Sequence, residues 1–195
     1  MQRKLIATTI AAILFSFGAH AQNAATETAR DTDQQKRIEQ GLQSGQLSTK
    51  EAASLESKEK RIDATEARDM KDGKLSAGEK AQIQREQNHV SADIYKDKHN
   101  AVTGNPNSVS SQRMQADVQR NINQQQRIEN GVQNGSLTNR EVARLERGQA
   151  KVSHAEAAAG RDGHVGAAEQ AHVQRTENRQ SRKIYRQKHD AQQQN

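Results

Sequence analysis

The residues of this chain best suited to chemistry are oxygen and nitrogen donors that occur in pairs ninety positions apart. Asp72 and Glu79 flank Gly73, and Asp162 and Glu169 flank Gly163 in the same way. A carboxylate on each side of a sharp turn can present hard oxygens to Ca²⁺ or another divalent cation. In the second copy alone His164 and His172 stand beside these acids, where the first has Lys74 and Gln82. Imidazole suits a borderline metal, so that turn could gather a softer ion. Tyr95 with His99, and Tyr185 with His189, form another set. Four-residue spacing puts each pair on one helical face. The four side chains would make a Cu²⁺ or Zn²⁺ site if the two copies met; the alternative is a packing Tyr and a His favouring the C-terminal end of its helix.

Other chemistry has little material. The chain has no Cys, no His-Glu-x-x-His pair, no phosphate-cradling Gly-rich loop and no Gly-x-Ser-x-Gly elbow. It is therefore not expected to be an enzyme. Scattered carboxylates on polar helices read as solvated faces. Lys and Arg are interleaved with acids instead of forming a polybasic arm, so no nucleic-acid partner is expected. The apolar faces are narrow and lack Trp, which argues against attachment to a membrane surface.

The elements that must hold these residues are organised by a repeat. Gln34 to Asn100 returns as Gln124 to Asp190 without gaps, with 28 of 67 paired positions identical. Such a match at one offset reads as a repeated structural unit. Ile38 and Leu42 open a helical face, and Gly45 ends it. Leu47-Ser48-Thr49-Lys50-Glu51 then restarts the chain as a capping box with an apolar residue before the cap. Ala52, Leu55, Glu59, Ile62 and Glu66 trace the next stripe, interrupted by its own acids. After Asp72-Gly73 a third helix carries Ile83, Val90 and Ile94, with Gln87 between them. Each copy thus reads as three helices and two glycine turns. With 31% apolar residues and 2% aromatics, one copy has little core of its own. The two are expected to pack together or on a partner; a chain that folds only on its partner is the extreme form of the same expectation.

The four turns keep one register: Gly45, Leu47, Ser48, Glu51; Gly73, Leu75, Ser76, Glu79; Gly135, Leu137, Thr138, Glu141; and Gly163, Val165, Gly166, Glu169. This pattern resembles the second half of an EF-hand calcium loop. The first half departs from it, since the opening ligand positions before Gly73 are Arg68 and Met70, and those before Gly163 are Ala158 and Gly160. The resemblance implies degenerate EF-hand-like units that keep the shape without full coordination. The chain is also similar to uncharacterised exported bacterial proteins with such turns and a terminal Ile-Tyr-x-x-Lys-His segment. The alternative is that Gly makes the turn and Glu completes the helix cap.

The organisation expected is a signal peptide at 1–21, a flexible leader at 22–32, a first helical unit at 33–100, a linker at 101–111, a second helical unit at 112–190 and a flexible tail at 191–195. Arg3 and Lys4, an apolar run and Ala19-His20-Ala21 fit a cleaved secretory signal. The mature chain would be periplasmic or secreted, without an integral membrane segment, and would carry 28 Lys and Arg against 24 Asp and Glu. The expected fold class is all-α, built of duplicated EF-hand-like helical hairpins. The expected function is that of a non-enzymatic binding or structural module of the bacterial envelope with a protein partner. The alternative is weak binding or sequestration of a divalent metal ion.

Overall fold

A computed structural model describes residues 19–190, with side chains from residue 24 onward. The described chain is all-α. Its helices are α1 (Ala19–Ser44), α2 (Thr49–Asp69), α3 (Ala77–Lys98), α4 (Val109–Gln133), α5 (Asn139–Ala159) and α6 (Ala167–Lys188), with one 3-10 turn at Met70–Asp72. Helices of the second copy begin ninety residues after those of the first. The turn glycines Gly45, Gly73, Gly135 and Gly163 all have φ between 74° and 90°, a left-handed conformation that disfavours any Cβ. After three of the four turns Ser48, Ser76 and Thr138 each accept from the backbone N–H three residues on. The Glu side chain at that position accepts in return from the cap N–H, as does Glu169 at Gly166.

The copies do not form separate bodies. Helix α1 runs antiparallel to α4, and α2 to α5. Ile38 and Leu42, late in α1, share a core with Met114 and Val118, early in α4, and with Ala155 and Ala159 at the end of α5. The counterparts Ile128, Val132 and Leu137 form a second core with Ala24 and Met70 from the first copy. Asp63 and its counterpart Ser153 face one another, Ser153 Oγ donating to Asp63 Oδ2 at 3.0 Å, so this pair marks an approximate two-fold relation. Helices α3 and α6 close the outer sides. Gln34 Nε2 donates to Gln87 O in the first copy, and Gln124 Nε2 to Glu177 O in the second.

Two expected boundaries move. The flexible leader at 22–32 is instead part of α1, and its Glu27, Thr28, Asp31 and Thr32 are buried. Thr28 and Thr32 donate to the carbonyls four residues earlier, which satisfies their hydroxyls inside the bundle. The linker ends at Ser108, which caps α4 by accepting from Ser111 N. The predicted signal segment, apart from its last three residues, and the tail at 191–195 lie outside the described residues. Among the described helices none is long and apolar enough to cross a membrane.

Candidate metal centre

Burial in this bundle is unusual in kind. Twelve Asp and Glu residues are buried among the described residues, and no Lys or Arg is. The expectation that the carboxylates form solvated faces is therefore wrong for half of the chain's acids. Glu141 closes a cap and Asp69 pairs with Arg68, but Glu27, Asp31, Glu56, Glu59, Asp63, Glu66, Asp117, Glu146, Glu156 and Glu177 line the space between the helices. Moving a charge from water into such a space is costly unless it is paired or neutralised.

The acids converge at one point in particular. Asp31 from α1, Glu66 from α2 and Glu146 from α5 each bring an oxygen within 4.8 Å of the others'. Two copies contribute, so the site exists only in the packed molecule. Its geometry is divided between held and free oxygens. Gln87 Nε2 donates to Asp31 Oδ1 at 2.8 Å and to Glu66 Oε1 at 3.4 Å, while Gln125 Nε2 donates to Glu146 Oε2 at 3.4 Å. The second oxygens, Asp31 Oδ2, Glu66 Oε2 and Glu146 Oε1, have no hydrogen-bond donor. Amides that fix one oxygen of a carboxylate and leave the other free are the outer support that oriented ligands require. Gln87 Oε1 and Gln125 Oε1 are likewise buried without a partner and add neutral oxygen donors nearby.

Electrostatics agrees with the geometry. Burial pushes the Asp31 carboxyl up to about 7, against the opposing bond from Gln87. Glu66 lies well above the usual carboxylate range through burial, then through the charges of Asp31 and Glu146. Glu146 is raised well above it by burial and by Asp31. Three acids that resist ionisation together can be satisfied by shared protons or by a cation.

Compared with known proteins, the chain matches no family, no curated sequence and no solved structure.

The two-fold counterpart of this centre is incomplete. Asn121 replaces Asp31, and its Nδ2 donates to Glu156 Oε2 at 3.0 Å while its Oδ1 accepts from Gln149 at 2.7 Å. Glu56, opposite, accepts from Gln35 at 3.0 Å. Two carboxyls remain where the first centre has three. Glu177 takes the place of Gln87 and sits 3.2 Å from Arg120, yet burial and the nearby Asp117 still raise it to about 8.

The residues singled out from sequence lie elsewhere. Asp72 Oδ1 and Asp162 Oδ1 accept from the backbone N–H of Lys74 and His164, which closes the turns. Glu79 and Glu169 are occupied in caps, and the cap bonds from Ser76 hold the Glu79 carboxyl below its ordinary range. The turns thus follow the capping alternative. None of these four acids, nor His164 or His172, joins a three-ligand cluster among the described residues. Tyr95 and His99 stack at 4.1 Å, with His99 Nδ1 2.7 Å from Tyr95 O, and Tyr185 and His189 do the same. Each pair is self-contained and exposed. Of the buried cluster, the sequence signalled only Glu66, an acid inside the apolar stripe of α2.

Proposed function

We propose that this protein is a non-enzymatic, exported helical module that takes up one hard divalent cation at Asp31, Glu66 and Glu146. The observation that carries this reading is the set of three unpartnered carboxylate oxygens, each the free half of a group whose other half an amide holds. All-oxygen donors without Cys or His suit Ca²⁺, Mg²⁺ or Mn²⁺ better than Zn²⁺ or Cu²⁺. The resemblance of the turns to calcium loops points to the same class of ion, although the ligands come from the helices. Complete burial favours slow exchange, which fits sequestration in the envelope better than rapid sensing.

A second reading has its own observation. Asp31 and Glu66 face one another closely enough to share a proton, and in that state the centre is a structural acid pair in a module that acts through an envelope partner. Thermal melts after exhaustive chelation, repeated with each cation, separate the two. A cation at a hundred times its dissociation constant stabilises the folded state by about 2.7 kcal/mol, so the midpoint rises selectively for the hard ions. Glu146→Gln removes that rise, and Glu79→Gln with Glu169→Gln leaves it. A cooperative melt unmoved by every ion discards the cation reading.

A further inference from the structure

The two copies differ in charge where α5 meets α6. All three acids of α5, Glu141, Glu146 and Glu156, are buried, so every exposed charge on that helix's Lys, Arg and acid positions is positive. Across residues 139–188 ten exposed Lys and Arg stand against two exposed acids, Asp162 and Glu169. Arg144, Arg147 and Lys151 follow helical spacing along one edge of α5, and Arg186, Lys183 and Arg179 run along the facing edge of α6. Between them lie two adjoining cavities, of about 330 Å³ and about 210 Å³, which share Lys183. None of the six cations makes an ion pair among the described residues.

The first copy has the same groove with different charges. The cavity lined by Gly148, Lys151, Thr176, Arg179 and Lys183 corresponds to one lined by Lys58, Arg61, Glu86, His89 and Asp93. There Lys58 pairs with Asp93 at 2.8 Å, and Ser54 and Ser57 occupy the positions of Arg144 and Arg147. Packing of the two helices needs no excess of cations, because the first copy packs without it. We propose that the α5–α6 groove of the second copy is a binding site for a linear polyanion of closely spaced phosphates, of the inorganic polyphosphate class.

Shape and lining select that class. From Arg144 to Lys151 the groove extends about 10 Å along the helix, and two facing rows of cations neutralise a single strand from both sides. Arginine presents a planar fork that matches phosphate oxygens in pairs. No aromatic side chain lines either cavity, so bases of a single-stranded nucleic acid find no stacking platform.

The test is binding of fluorescent polyphosphate to the purified full chain at 0.15 M salt, with a single-stranded oligonucleotide and phosphatidylglycerol vesicles as parallel probes. R144S/R147S/K183D installs the first copy's residues at exposed positions; K50S/K60S/R161D removes the same charge from the cationic groove between α2 and α5. The expected result is at least a ten-fold loss of polyphosphate affinity for the first variant and less than a three-fold loss for the second, with unchanged helicity in both. Equal losses would show a diffuse charge effect and overturn the site. Absence of polyphosphate binding, or binding of the oligonucleotide or vesicles at least as tight, would overturn the ligand class.

Discussion

Glu66 shares its stripe on α2 with Ala52, Leu55 and Ile62, and it is buried as completely as they are. A stripe that includes acids reads most simply as a weak apolar face. Only the packing of α1 and α5 onto it brings the second and third carboxylates, Asp31 and Glu146, within reach, and that packing is not written in any local spacing. The same holds for Asp31, which lies in the polar stretch taken for a leader. Two effects of opposite sign follow at Glu66. In cation-free protein at pH 7.5, Glu66→Gln removes a carboxyl whose ionisation the interior opposes through burial and the charges of Asp31 and Glu146, and is expected to raise stability. The same substitution is expected to abolish stabilisation by Ca²⁺ or Mn²⁺. Denaturant melts with and without chelator measure both; a destabilised apo protein would mean that Glu66 forms an interaction its amide cannot replace.

At the level of elements the sequence was most readable. Glycine turns, capping boxes and apolar spacing placed three helices in each copy, and all four turn glycines adopt the conformation their position requires. The start of α1 was obscured because Ala24, Thr28 and Thr32 stand where α4 has Met114, Val118 and Ile122. Polar Thr residues hid a buried face that their own backbone bonds make tolerable. Gly135 offers a clean test of turn strain, since a Cβ there would meet no atom within 4 Å while φ is 74°. Gly135→Ala is expected to cost about 1 kcal/mol from the left-handed conformation alone. Ser48→Ala is expected to cost about 1 kcal/mol through the lost cap. Urea melts check each loss, and both variants should keep the full response to cations.

The whole molecule depends on the packing of one copy against the other. Each apolar core draws residues from both, so chains cut between residues 104 and 105 are expected to show little helix alone and to regain it on mixing, as measured by circular dichroism. Independent helical folding of either half would contradict the shared cores. The interior also sets a pH dependence. Burial raises Glu56 and Asp117 to about 7 and Glu177 to about 8, and none of these belongs to the proposed cation site. Folded protein holds these protons more tightly than unfolded protein does. Their contribution is therefore full below about pH 4 and is lost as pH rises to about 8, at up to about 1.4 kcal/mol per pH unit for each group. In chelator, the melting midpoint is expected to be higher at pH 5 than at pH 8. Cation affinity runs the other way, because the ion displaces protons from its ligands.

The most direct measurement is calorimetric titration of chelator-stripped protein with Mn²⁺ and Ca²⁺ at pH 7.5, in two buffers of different ionisation enthalpy, for the wild type and Glu146→Gln. A cation held by Asp31, Glu66 and Glu146 gives saturable binding of one ion per chain with release of protons, and Glu146→Gln loses it. Absence of binding in the wild type, or an undiminished isotherm in a folded Glu146→Gln, would contradict the assignment.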